Sequence, residues 1–243
     1  MKKTIALTCL LTASVSAYAG EKGDWGYSGE HGPEHWASLT ADNFACSGKN
    51  QSPVNLSGFI KSQLDPIDFD YKNKGTEILN NGHTVQINFK AGNTIHIDGI
   101  DYTLLQSHFH APSENHINGQ SYPLEAHLVH SDKQGNLAVI GVMFDVGAPN
   151  KGLESAWAMM PHKKGDQHTL KTGVSATDML PESREYYRFS GSLTTPPCSE
   201  GVRWFVMKEA LTASTEQIHT FQTALNEPNN RPLQPLNART ILQ

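Results

Sequence analysis

Q106-S-H-F-H-A-P-S-E-N-H-I-N-G-Q-S-Y-P-L-E-A-H-L-V-H130 is the stretch on which the fold of this chain turns. On a β-strand, residues two apart project to the same side, so His108 and His110 share one face with Cα atoms roughly 6.5 Å apart, while Phe109 enters the opposite layer. A second alternating run, Leu124 to His130, puts Glu125, His127 and Val129 on one face and Leu124, Ala126, Leu128 and His130 on the other. If the two runs are neighbouring antiparallel strands, His127 is the residue of the second run that can join the pair on the first. Three neutral imidazoles at tetrahedral positions, with the fourth left to water, make a catalytic zinc site, because a closed structural site would normally add a fourth protein ligand, usually Cys.

The residues two before these histidines support the same chemistry. A metal-bound imidazole usually donates its other N–H to an amide, carboxylate or carbonyl. Gln106 precedes His108 by two and Glu125 precedes His127 by two, so both are expected on the face of the histidine they serve. A Gln and a Glu aimed at a sheet interior are costly without such partners. Of the remaining histidines, all but His83 (His31, His35, His96, His116, His130, His162, His168 and His219) read as structural or solvated; His116 falls in the turn between the two runs.

Outward from this stretch the chain keeps the same period. His83 to Lys90, Thr94 to Asp98, Tyr102 to His110, Leu124 to His130, Leu137 to Val146 and Val202 to Met207 predict strands, separated by turns such as Asn80-Asn81-Gly82 and Gln134-Gly135-Asn136. Helices are predicted over Leu153 to Met160 and Thr215 to Leu225, the second opened by a Ser214/Gln217 capping box and carrying an Ile218, Phe221 and Leu225 stripe. Short strands joined by tight turns favour a mainly β, antiparallel architecture over a wound α/β one, whose crossovers need a helix between successive strands. No repeat, low-complexity tract or linker divides the chain, so one domain is expected.

The opening MKKTIALTCLLTASVSAYAG has two lysines, an uncharged apolar stretch and Ala17-Tyr18-Ala19 before Gly20, the pattern of a cleaved secretory signal too short to span a bilayer. The expected division is a signal peptide at 1–19 and a catalytic domain at 20–243, with a periplasmic or secreted destination. Removing the two lysines of that segment takes the formal charge from −5 to −7. A mildly acidic chain without a basic run is not built for nucleic acid. Cys9 leaves with the signal, and Cys46 and Cys198 are then expected to pair in an oxidising compartment, where closing so long a loop stabilises by roughly 5 kcal/mol at the upper end.

The chain resembles the α-class carbonic anhydrases of the bacterial, exported kind. The likeness rests on WGYSGEHGPEHW (25–36), QSPVNL (51–56), NNGHTVQINF (80–89), QSHFH (106–110), SENHINGQSYPLEAHLV (113–129), LAVIGV (137–142), GSLTTPPCSEGVRWFV (191–206) and RPLQPLNAR (231–239), in the family's order. The resemblance implies a single domain around a ten-stranded, mostly antiparallel twisted sheet with short peripheral helices and a zinc ion at the bottom of a conical cleft. It implies reversible hydration of CO2 to bicarbonate and a proton by attack of zinc-bound hydroxide, with Zn2+ held by His108, His110 and His127. Thr194 maps onto the hydroxyl that orients that hydroxide, Glu114 onto the buried carboxylate behind it, Thr195 onto a bicarbonate contact and His83 onto the proton shuttle. Val129, Val139, Leu193, Val202 and Trp204 map onto the apolar wall that receives CO2. Sulfonamide and anion inhibitors are expected ligands, and a monomer or homodimer the expected state. Ser107, Ala111, Pro112 and Gln86 depart from the animal pattern, with consequences expected in the cleft.

Two other classes share part of the signal. A cupin metal site also begins H-x-H, three residues, Glu; its second half wants a Pro-x-Gly turn shortly before the last His, where this chain has Pro123-Leu124-Glu125-Ala126. A binding module that kept the fold but lost catalysis typically lacks a zinc ligand, and all three are present here.

Overall fold

The strands that carry the histidines lie at the centre of one large sheet. The computed structural model describes residues 24–225 and 227–243, so the segment read as a signal peptide lies outside the described residues. In chain order the strands are β1 (Asn55–Leu56), β2 (Asp68–Tyr71), β3 (Gly75–Asn80), β4 (Val85–Phe89), β5 (Asn93–Ile97), β6 (Ile100–His110), β7 (His116–Ile117), β8 (Leu124–Ser131), β9 (Leu137–Val146), β10 (Gln167–Val174), β11 (Tyr186–Ser192), β12 (Glu200–Met207) and β13 (Leu211–Ala213). Among the described residues eleven of these form the main sheet, running β10-β3-β4-β6-β8-β9-β12-β11, with β5 beside β6, β2 beside β5 and the three-residue β13 beside β9. β1 and β7 form a small parallel pair of their own. The main sheet thus has eleven strands, one more than the ten that the resemblance implies. Its pairing is antiparallel except where β12 and β13 run parallel to β9.

Burial separates the central strands that sequence patterning finds from β2 and β10, two of those it does not, along with β3 and β11. β8 is buried from Leu124 to His130, and β9 from Ala138 to Phe144, so both read as apolar runs wherever their sides face. β10, at one end of the sheet, is QHTLKTGV with half its residues exposed, and β2 is DFDY with none buried. Such edge strands carry little hydrophobic periodicity, and the alternation that predicts the central strands does not reveal them.

Among the described residues three short α-helices accompany the sheet: α1 (Trp36–Leu39), α2 (Lys151–Trp157) and α3 (Thr215–Leu225). α2 begins two residues before the predicted start, because the Asn150 side chain accepts from the Leu153 N–H at 3.1 Å and caps it. α3 has its predicted bounds, with Ser214 and Gln217 bonded reciprocally at 3.1 and 3.2 Å.

The two faces of β6 and β8 have different company. Phe109, Ala126 and Leu128 enter a core shared with Trp157 of α2 and Phe221 of α3, where the Phe109 ring meets Trp157 edge-on at 4.8 Å. Full burial of a side chain such as Phe109 is worth about 1.5–3 kcal/mol. On the opposite side Val129, Val139, Val202 and Trp204 form a second cluster. A third joins Trp36 to the Cys46–Cys198 disulfide, whose Cα atoms are 4.9 Å apart. Among the described residues no helix is long and apolar enough to cross a membrane.

Candidate metal centre

Register brings the three histidines together. His108 on β6 stands directly opposite His127 on β8, and His110 stands opposite Glu125. The ring centroids are 5.1 Å apart for His108–His110, 5.2 Å for His108–His127 and 4.6 Å for His110–His127, nearly an equilateral triangle. One nitrogen from each ring lies within 4.8 Å of the others.

The outer nitrogens determine which atoms are free. His108 Nδ1 donates to Gln106 Oε1 at 2.9 Å, His110 Nδ1 to the Asn229 carbonyl at 2.7 Å and His127 Nε2 to Glu125 Oε1 at 2.9 Å. Inward therefore point Nε2 of His108, Nε2 of His110 and Nδ1 of His127. Glu125 is the most heavily engaged partner, also accepting from the backbone N–H groups of Glu114 and Asn115 at 2.8 and 2.9 Å and from Asn115 Nδ2 at 2.8 Å. Opposite His127 on the next strand is Gly141, where a Cβ would come within 3.3 Å of Glu125 Oε1. Space for that carboxylate is one reason the central strand carries a glycine here.

Burial, followed by repulsion from neighbouring imidazoles, holds His108 and His127 well below the usual histidine range; burial lowers His110 too, opposed by the Asn229 carbonyl and Glu125. Neutral imidazole is the ligating form. Burial conversely pushes Glu114 well above the carboxylate range and raises Glu125. For Glu114 the Arg231 N–H, the Thr194 hydroxyl and the Arg231 guanidinium pull the other way. Its Oε1 accepts from the Arg231 backbone at 2.9 Å, while its Oε2 lies 3.4 Å from His110 Nε2 and 3.9 Å from His127 Nδ1. Both Oε2 and His110 Nε2 are buried without a hydrogen-bond partner. A divalent cation with its water satisfies such a pair, takes the imidazoles in the neutral form that burial already favours and offsets the upward shift of the two carboxylates, so the donor set fits zinc.

Thr194 is buried in the connection between β11 and β12. The carbonyl of Thr195 receives the Cys198 N–H at 2.8 Å, which ties the disulfide to the threonine loop. Val129, Val139, Val202 and Trp204 share one apolar cluster, with Leu193 packed against it, and the Trp204 indole meets the His127 ring edge-on at 4.8 Å. His83 stands apart on the connection before β4, half-buried and stacked on Trp25 at 3.7 Å. Burial and Lys164 lower its pKa, while Asp24 and Glu227 oppose them. Among the sequence departures, Ser107 does not face the cleft: it is buried on the core side with its hydroxyl toward Met179 Sδ at 3.9 Å, because it alternates with His108.

Asn229 and Arg231 are the residues that sequence reasoning missed. Asn229 takes the His110 proton with its carbonyl, accepts the Ala111 N–H at 2.9 Å with Oδ1, and gives Nδ2 to the carbonyls of His83 and Phe109 at 3.1 and 2.8 Å. Arg231, 2% exposed, bonds through its guanidinium to Gln51 Oε1, the Ser52 carbonyl and the Cys46 carbonyl at 2.8, 2.8 and 3.1 Å. The RPLQPLNAR motif begins on Arg231, but nothing local to it points to Glu114.

Residues 31–243 match the family model described as eukaryotic-type carbonic anhydrase. The chain is 46% identical to a carbonic anhydrase of Pectobacterium atrosepticum over all of both chains. With a carbonic anhydrase of Neisseria gonorrhoeae it shares 43% identity over 99% of its own length and 96% of the relative's. Among solved structures it is similar to the α-carbonic anhydrase of Thermovibrio ammonificans in complex with sulfanilamide, with a TM-score of 0.89, 47% identity, and coverage of 91% of this chain and 100% of that one.

Proposed function

The chain belongs to the α-carbonic anhydrase family, whose reaction is the reversible hydration of CO2 to bicarbonate and a proton, and we propose that His108, His110 and His127 hold the zinc ion for it. It is a zinc-dependent carbonic anhydrase. The observation that carries the assignment of ligands is the set of three inward nitrogens, each left free by a partner on the far side of its ring. When bound, zinc supplies a Lewis acid that brings the ionisation of water to about pH 7.

The remaining roles follow from residue chemistry. An ionised Glu114 can only accept, so the single proton of the Thr194 hydroxyl is committed to it and the Thr194 oxygen is left to accept from the reacting oxygen. That arrangement aims a lone pair, not a proton, at the carbon of CO2. Val129, Val139, Leu193, Val202 and Trp204 offer CO2 an apolar wall and exclude competing water. Thr195, next on the same loop, offers a hydroxyl to bicarbonate. His83 accepts the proton through intervening water and passes it to buffer, a task open to an imidazole that holds no metal. Its stacking on Trp25 and its half-buried position support a ring held at the mouth of the cleft.

We also propose that residues 1–19 are removed on export to the periplasm or beyond, a reading supported by the Cys46–Cys198 bond, and that sulfonamides and small anions inhibit by taking the open position at the metal. Stopped-flow CO2 hydration tests the assignment. The zinc-loaded protein is expected to turn over and to lose activity on chelation, with recovery when zinc returns. Equal rates with and without metal would refute it.

A further inference from the structure

Beyond the metal, the cleft face of the sheet carries a chain of hydrogen bonds with one polarity. Gln86 on β4 stands opposite His108, and Asn88 stands opposite Gln106 on one side and Glu77 of β3 on the other. Paired residues of an antiparallel ladder share a face, so Glu77, Asn88 and Gln86 lie on the side of the sheet that bears the zinc ligands. Gln86 Nε2 donates to Asn88 Oδ1 at 2.6 Å, and Asn88 Nδ2 donates to Glu77 Oε1 at 2.5 Å. The second carboxylate oxygen of Glu77 accepts from Gln167 Nε2 of β10 at 2.7 Å.

A carboxylate can only accept, and this fixes the direction of the chain. Asn88 must turn its amide nitrogen toward Glu77, which leaves its oxygen toward β4. Gln86 must then turn its own nitrogen toward that oxygen. Reversing Asn88 would set its oxygen against the carboxylate and forfeit both bonds, one of them charge-assisted, and reversing Gln86 would set two carbonyl oxygens against each other and forfeit its own bond. The Gln86 carbonyl oxygen is thereby left without a duty inside the ladder, on a half-buried residue directly across from a zinc ligand.

We infer that Glu77, outside the metal site, is a positioning residue that sets the amide of Gln86 so that the polar wall of the cleft presents a hydrogen-bond acceptor beside His108. The cleft therefore favours ligands that bring a donor, hydroxyl or N–H, to that wall over those that bring an acceptor. This rests on the reading of that face as the enzyme's cleft, and it predicts a ligand preference that neither the histidine trio nor the apolar wall supplies.

The test uses the zinc-loaded protein, its E77Q variant and three probes: benzenesulfonamide and two benzenesulfonamides of matched size carrying a hydroxymethyl or a methyl ketone on the ring. Wild type is expected to bind the hydroxymethyl compound about three- to tenfold more tightly than the ketone, the worth of one net hydrogen bond. Glutamine at 77 both donates and accepts, so the ladder loses its fixed direction and the preference shrinks toward unity, while plain benzenesulfonamide binds within about twofold of wild type, well under the worth of a hydrogen bond. In the zinc-free protein, the side-chain N–H signals of Gln86 and Asn88 in 1H–15N spectra are expected to shift in E77Q, a readout independent of turnover. An unchanged preference with unchanged signals would overturn the inference. So would equal weakening of all three probes with a lowered melting temperature, since Glu77 would then merely brace the sheet. Failure of benzenesulfonamide to bind wild type would instead count against the metal site itself.

Discussion

His127 and His130 lie three residues apart on one strand, 1% and 0% exposed, and only His127 stands in the metal cluster. An odd spacing sends them to opposite faces. Across the strands His127 meets His108 and Gly141, with Glu125 holding its outer nitrogen. His130 meets Leu104 and Ala138, its Nε2 lies 2.7 Å from the Tyr71 hydroxyl and its ring runs nearly parallel to that of Tyr71 with centroids 5.9 Å apart. Burial costs both rings their charge, driving His130 to a pKa of about 3. Burial alone does not make a ligand; convergence with two further imidazoles, each held by its far nitrogen, does.

The sharpest way to break this contrast is to remove one ring at a time. His127→Ala is expected to weaken zinc by more than the 10- to 100-fold typical of losing an outer partner, and to abolish CO2 hydration; metal retention under a competing chelator measures it. Stoichiometric zinc in that variant at chelator levels that spare wild type would refute the assignment. Next in size is Glu125→Gln, which keeps shape but puts an amide against His127 Nε2, and should lower zinc affinity by about 10- to 100-fold. Unaltered affinity would mean that the carboxylate serves only Glu114 and Asn115.

A third variant separates proton transfer from chemistry. His83→Ala is expected to lower kcat in dilute buffer by about 10²-fold, the lower end for a positioned acid or base, with kcat/KM preserved and turnover restored by imidazole. No drop, or no rescue, would leave His83 outside the proton route.

The smallest effect on turnover belongs to the core face. An unfolded imidazole titrates near 6.5 and folded His130 near 3, so between those values the unfolded state holds more protons. Stability from this residue is complete above pH 6.5 and is lost as pH falls toward 3, at up to ~1.4 kcal/mol per pH unit. In His130→Gln, urea unfolding should show a shallower acid slope than wild type while neutral-pH turnover stays unchanged. Loss of zinc from this variant would erase the distinction between the two faces.

The legible part of the site lay in strands that bury both sides. A period of two placed His108, His110 and His127 on one face, brought Gln106 and Glu125 into register with them, and sent Phe109 and His130 the other way. The same rule, applied to Ser107, places it against Met179 and away from the cleft, where the family resemblance puts its effect. The edge strands β2 and β10 escaped because half-exposed polar residues carry no apolar period. Asn229 escaped for a different reason: its backbone carbonyl takes the His110 proton across 119 positions of chain, and a carbonyl has no residue type by which to recognise it.

By itself the sequence determined the side of the sheet on which each histidine falls and, with two cysteines left once the expected signal is set aside, their pairing, because side-chain alternation and residue type are legible without the fold. Only the tertiary structure decided which nitrogen of each ring turns inward, where Glu114 leaves an oxygen unpartnered, and which way the Glu77–Asn88–Gln86 amides run. Those are choices of hydrogen-bond partner, and partners distant along the chain meet only after the sheet has closed.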